Sequence, residues 1–160
     1  MTLLVSDTGP IISLLLVDLF DIIEKLFPDY LIPDAVWKEL TNHNEILPFK
    51  RELSILSQKS RIINDYYFPI SGIDKGETET IILCKNLNAD ILLIDDKKAR
   101  QKAELLGIKC IGTLGLLYFA KQKMIIHELR PIFMKLIENK RYYSKKYINM
   151  FLTKSEEFPI

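Results

Sequence analysis

"NADILLIDDKKARQKAELLG", residues 88–107, carries the reading of the fold. Ile91 to Ile94 form an unbroken apolar run closed by two acids, the look of a strand covered on both faces inside a parallel sheet. The charged stretch behind it has helical spacing and ends at Gly107, a residue suited to closing a helix. The chain opens in the same order. "LLVSDTGPIISLL", residues 3–15, is a short buried strand punctured by Asp7, a turn at Thr8-Gly9-Pro10 and another apolar run. A carboxylate in such company costs roughly several kcal/mol unless it is paired, hydrogen-bonded or bound to a metal.

Outward from these two units the pattern continues. Residues 11–27 carry apolar side chains at helical spacing, interrupted by Asp18, Asp21, Glu24 and Lys25. "YLIP" reads as a second strand, and Pro33-Asp34 starts the helix "AVWKEL". A further helix is expected over 49–59, strand or loop over 61–68, and a helix from about Gly76 to Leu87 behind the Gly and Asp punctuation of "SGIDKG". "IKCIG" reads as a strand and "TLGLLYFAKQKM" as a helix. Strands alternating with helices indicate an α/β topology with a parallel sheet and right-handed crossovers. Residues 127–155 read as a helical C-terminal appendage on a core of about 2–125, and the whole chain, 1–160, as a single domain.

Composition narrows the function classes. Hydrophobic residues make up 48% and charged residues 27%, which excludes a disordered or fibrous chain. The 22 basic and 21 acidic residues leave a formal charge of +1, so attraction to a polyanion must rest on local patches. Cys84 and Cys110, both in apolar segments, read as reduced buried thiols rather than a disulfide framework or a thiolate zinc site. "MTLLVSDTG" lacks a basic n-region, and Asp18 and Asp21 break the longest apolar run, so a cytoplasmic chain without a membrane segment is expected.

The chemistry-bearing residues are acids. In open α/β sheets ligands bind beyond the carboxyl ends of the strands, where strand order reverses. Asp7 ends the first strand and Asp95-Asp96 the fourth, Glu39 sits on the helix after the second strand, and Glu77 and Glu79 lie in the first turn of the helix feeding Asp95. Carboxylates without accompanying His or Cys suit a hard divalent cation, Mg²⁺ or Mn²⁺. Such a site activates water for attack on a phosphodiester. Each acid also has an ordinary use. Asp7 and Asp96 can cap the helices behind them, Glu39 can be a solvated helix residue, and Glu77 and Glu79 can favour a helix N-terminus. Successive residues turn about 100° on a helix, so Glu77 and Glu79 point in different directions and one of them enters the site.

Lys97, Lys98, Arg100 and Lys102 follow the acids. Near the end, Lys135, Lys140, Arg141, Lys145 and Lys146 interleave with Tyr142, Tyr143 and Tyr147. That mixture suits single-stranded RNA through phosphate contacts and base stacking, or else a solvated helix face. Lys97, Lys98, Arg100 and Arg141 are the expected nucleic-acid contacts. A haloacid-dehalogenase-type phosphatase would need an acid where Gly9 stands, and no P-loop motif occurs.

The segments "VSDTGPIISLLLVDLFDIIEKLF", "LIPDAVWKEL", "GETETIILCKNLNADILLIDDKKARQKAELLGIKCIGTLGLLYFAK" and "RYYSKKYINMFL" together resemble a PIN-domain protein of the branch close to VapC-type toxins. The resemblance spans about residues 2–152. It implies a three-layer α/β/α sandwich with a central, mainly parallel sheet, and a metal-dependent ribonuclease using Mg²⁺ or Mn²⁺. The family's acids fall on Asp7, Glu39, Glu77 and Asp95, with Glu77 standing where the familiar pattern has Asp. An alignment shifted by one promotes Asp96, and Glu79 can replace Glu77. Thr8 matches the small hydroxyl residue behind the first acid. The implied partners are an RNA substrate, a small antitoxin and, as in many relatives, a second copy forming a homodimer. The rival is a PIN fold that binds RNA or protein without turnover.

Overall fold

In the computed structural model, which describes residues 2–64 and 67–160, β1 (Leu3–Ser6) lies in the middle of a five-stranded sheet. β2 (Asp29–Pro33) and β3 (Ser60–Arg61) extend it on one side, and β4 (Ile91–Leu93) and β5 (Cys110–Ile111) on the other. All pairings are parallel, in the order β3-β2-β1-β4-β5. The chain therefore builds outward from β1 in one direction, then jumps back to build the other half. The reversal falls between β1 and β4, where Leu4 pairs with Ile91 and Ser6 with Leu93. A parallel sheet leaves its ligand crevice at the carboxyl ends of two such strands.

Alternation along the strands separates two cores. Leu4, Ile32 and Leu93 face one side, packed by α1 (Thr8–Leu16), α2 (Asp21–Leu26), α3 (Asp34–Leu40), α4 (Lys50–Lys59), α7 (Thr113–Gln122), α8 (Arg130–Glu138) and α9 (Lys145–Lys154). Val5, Leu92 and Ile94 face the other, against α5 (Lys75–Asn86) and α6 (Lys97–Leu105). This is the three-layer α/β/α arrangement expected from the sequence, with the helices of the carboxy-terminal segment adding to the larger core through Phe133, Leu136, Ile148 and Leu152. None of the described helices is long and apolar enough to cross a membrane.

One expectation about helices needs correction. The periodic stretch 11–27 is broken into α1 and α2, because the chain leaves α1 with Asp18 in the left-handed region (φ 58) and the Asp18 and Leu19 amides bond back to Leu15 and Leu14. The segment 127–155 is helical as expected, with α8 and α9 joined by an irregular strap. Of the stretch 61–68, Arg61 completes β3, and Asp65 and Tyr66 lie outside the described residues. Both thiols are free. Cys84 is buried and Cys110 half-buried, and burial pushes them up to about 12 and about 11, so neither is a ready nucleophile.

Candidate functional site

The two strands flanking the reversal each deliver an acid. The Asp7 amide bonds to the Leu93 carbonyl at 2.9 Å, so β1 and β4 stay paired up to the point where both chains turn away. Asp7 then takes the N-cap position of α1 with extended backbone, but its side chain makes no cap hydrogen bond to that helix. It is only 7% exposed. Loss of water pushes its carboxyl up to about 7 from an ordinary 3.8, and the charges of Glu77, Glu39 and Asp74 push the same way. The backbone N–H of Thr8 opposes the rise in part. Asp7 is thus a buried carboxylate facing other carboxylates with little donor support.

Glu39 reaches the same place from α3. Its Oε2 accepts from the Thr8 hydroxyl at 2.9 Å, which ties α3 to the first residue of α1. Room for that carboxylate depends on Gly76, in the first turn of α5. A Cβ there would stand 2.8 Å from Glu39 Oε2 and 3.5 Å from Asp74 Oδ1. Glu77 and Asp74 form a capping box at the start of α5. The Glu77 amide donates to Asp74 Oδ1 at 2.8 Å, and the Asp74 amide donates to Glu77 Oε2 at 3.1 Å. Partial burial raises Glu77, and the charges of Asp74, Asp96 and Glu39 add to the rise. Asp74 is the acid that the sequence reading missed, although "DKGE" carries the signature of a capping box.

The doublet after β4 divides its duties. Asp96 is exposed, caps α6 by accepting from the Ala99 amide at 2.9 Å, and acts electrostatically on Glu77. Asp95 turns toward the start of α7. Its Oδ1 accepts from the Thr113 amide at 2.7 Å, and its Oδ2 accepts from the Thr113 hydroxyl at 2.6 Å and the Tyr143 hydroxyl at 3.0 Å. Glu79 accepts from the Ala35 amide at 3.2 Å, at the start of α3. The four basic residues also separate. Lys97 and Lys98 are exposed beside Asp96. Arg100 is bound to Glu104 and to the Cys110 carbonyl, and Arg141 to the Ser13 hydroxyl and the Gly9 carbonyl.

The structure thus gathers Asp7, Glu39, Asp74, Glu77 and Asp96 into one electrostatic neighbourhood, grading from the buried Asp7 to the exposed Asp74 and Asp96. Asp95 lies beyond the end of β4 with its own donors. Among the described residues no three His, Cys, Asp or Glu side chains converge closely enough to hold a metal ion as they stand. Glu39, Asp74, Glu77 and Asp96 each rest on a nearby hydroxyl or amide. The donor set is nevertheless all oxygen and mutually repelling, which fits a hard divalent cation and no softer metal. Two hollows in the surface lie elsewhere, one between α1, α2 and α4 and one along β2 beside Lys59 and Arg61. The exposed Asp74 and Asp96 form the outer rim of the acids, with Asp7 at the buried end.

The solved structure of a PilT N-terminus domain protein, SSO1118, from the hyperthermophilic archaeon Sulfolobus solfataricus P2 is similar over 73% of this chain and 91% of its own, at 19% identity and a TM-score of 0.48. No curated protein matches the chain. A family model, DUF3368, described as a PIN domain, matches residues 3–157, from the first residue of β1 to beyond the end of α9. The chain belongs to this PIN-domain family.

Proposed function

We propose that the protein is a divalent-metal-dependent endoribonuclease. PIN domains are generally a nuclease fold, and the observation that carries the finer reading is Asp7: 7% exposed, raised to about 7, without a cap bond and surrounded by acids. A cation offsets that arrangement more directly than any side chain near it. Asp7, Glu39, Glu77 and Asp95, with Asp74 and Asp96 at the rim, would hold Mg²⁺ or Mn²⁺, which supplies an activated water and neutralises charge on the phosphoryl group. The residues themselves do the rest. Thr8 orients Glu39 through its hydroxyl, and the capping box holds Glu77 at the head of α5. Lys97 and Lys98 are exposed next to the acids and suit the phosphates of a single strand, whereas Arg100 and Arg141 are already committed to protein partners. The likeness to VapC-type sequences extends the reading to the toxin component of a toxin–antitoxin pair, whose small antitoxin would cover the acidic rim.

The test is cleavage of an end-labelled, mixed-sequence single-stranded RNA with Mg²⁺ or Mn²⁺, comparing wild type, Asp7→Asn and wild type in EDTA. Cleavage should require the metal and vanish in Asp7→Asn. The second reading, a PIN fold that binds without turnover, is favoured by one observation: no three carboxylates among the described residues converge as they stand. Folded wild type that leaves RNA as intact as Asp7→Asn does, across metals, establishes that second reading.

A further inference from the structure

One of the three donors on Asp95 comes from the far end of the chain. After α8 the backbone turns at Lys140 (φ 60) and stays irregular until α9. Burial alternates along this strap: Arg141 and Tyr143 face inward, while Tyr142 is 76% exposed. Arg141 Nε donates to Ser13 Oγ at 2.9 Å, and its Nη2 donates to the Gly9 carbonyl at 3.1 Å. Tyr143 Oη lies 2.7 Å from Ser13 Oγ and 3.0 Å from Asp95 Oδ2.

These contacts fix a direction. The Tyr143 hydroxyl donates to Asp95 Oδ2, which spends its single phenolic proton. Ser13 must then donate its own proton to the phenolic oxygen, and Arg141 donates to Ser13. The chain of donors runs from Arg141 through Ser13 and Tyr143 to Asp95 and crosses from α1, which begins directly behind Asp7, to the end of β4. Such aligned bonds reinforce one another in a buried setting.

We infer that Tyr143 is a positioning residue that fixes the Asp95 carboxylate relative to the Asp7 end of the site, so that the carboxy-terminal strap is part of the site. This rests on the metal-dependent reading above. The strap makes the separation of the two strand-end acids depend on residues more than a hundred positions away from Asp7.

Tyr143→Phe in the full chain keeps the ring and removes only the hydroxyl. Half-saturating Mn²⁺, measured by calorimetry without RNA, should rise about 10-fold, within the range that loss of a supporting partner costs. The kcat for RNA should fall by a similar factor with KM nearly unchanged. Ser13→Ala, one link upstream, should move both in the same direction by less. Tyr118→Phe, whose hydroxyl accepts from Gln122, should move neither. If Tyr143→Phe does not fold, Ser13→Ala carries the comparison. Equal Mn²⁺ midpoints in wild type and variant overturn the proposal whether or not RNA is cut. So does a Tyr143→Phe midpoint that returns to the wild-type value once an osmolyte restores thermal stability. A wild type that binds Mn²⁺ and cuts no RNA overturns the nuclease reading alone, and one that binds no Mn²⁺ overturns both.

Discussion

Asp7 and Asp95 leave neighbouring parallel strands on the same side of the sheet, yet the protein treats them in opposite ways. Asp95 accepts from an amide, a threonine hydroxyl and a tyrosine hydroxyl. Asp7 is buried among Glu39, Glu77 and Asp74 with the Thr8 amide as its main counterweight. Burial and donor supply together separate the two: Asp7 is the more deeply buried and the less well served. A carboxylate with its lone pairs filled stabilises the fold around it, and one that is desolvated and poorly served stores free energy that a cation can release. The substitutions that test this contrast should have opposite signs at the two positions.

The largest effect is expected at Asp7. Asp7→Asn should lower RNA cleavage by more than the roughly 100-fold that loss of a merely supporting partner costs. Its effect on stability should be opposite. A carboxyl raised from 3.8 to about 7 differs by about 4 kcal/mol between its folded and unfolded surroundings, at ~1.4 kcal/mol per unit. Below about pH 3.8 both states hold the proton and nothing is lost. As pH rises toward about 7 the unfolded chain releases it while the folded chain keeps it, so wild-type stability falls through that window and then levels off. Denaturant titrations in metal-free buffer should show Asp7→Asn equal to wild type near pH 3.5 and more stable at pH 8. Adding Mn²⁺ should close the gap by stabilising wild type alone. A less stable Asp7→Asn at pH 8 would break the contrast.

Asp95→Asn comes next. The amide's NH₂ displaces the Thr113 amide donor or forces the Thr113 and Tyr143 hydroxyls to turn and accept, so at least one of the three donations to position 95 is lost. A destabilisation of about 1–3 kcal/mol is expected from an orphaned, partly buried donor. Urea unfolding at pH 8 would show it, with a sign opposite to that of Asp7→Asn under the same conditions.

Gly76→Ala sharpens the comparison from the side of Glu39. Alanine is favoured over glycine by about 1 kcal/mol in a helix interior, and by less at Gly76, in the first turn of α5. Here its Cβ would stand 2.8 Å from Glu39 Oε2, so Glu39 must swing away and release the Thr8 hydroxyl. Cleavage should fall about 10-fold, the lower end of the cost of a displaced site residue. The melting temperature should change little because propensity and displacement oppose each other. Unchanged cleavage would place Glu39 outside the machinery.

These residues also mark how far the sequence could be read. The strand-acid-helix units at Asp7 and Asp95 were legible because burial and charge conflict locally, within a few residues. The parallel sheet followed from their repetition. What each acid bonds to was not legible. Tyr143 and Thr113 are remote in sequence from Asp95, and Glu79 stood as the substitute for Glu77 until its carboxylate was found at the Ala35 amide. Arg141 read as a free cation because sequence shows its charge but not Gly9 and Ser13 beneath it. The break between α1 and α2 was hidden for a different reason, which applies to other helix ends as well.

Six helices, α1, α5, α6, α7, α8 and α9, close with the same pair of backward amide bonds around a residue of positive φ. Only α6 marks its end with glycine, Gly107; the others use Asp18, Asn88, Met124, Lys140 and Glu156. Glycine is the signal a reader looks for, since other residues strain in this conformation. Met124 is the clearest misfit, at φ 59 and 85% exposed, with no side-chain burial to offset the strain. Met124→Gly should therefore raise stability, by about 0.5–1 kcal/mol, the relief of strain exceeding the entropy that glycine adds to the unfolded chain. It lies far from both acids in sequence, exposed just past the end of α7, so cleavage and the Mn²⁺ midpoint should stay at wild-type values while the melting temperature rises. A gain in stability that also altered Mn²⁺ binding would mean that overall rigidity, and not the local supply of donors, sets the behaviour of the site, and the contrast between Asp7 and Asp95 would have to be read again on that basis.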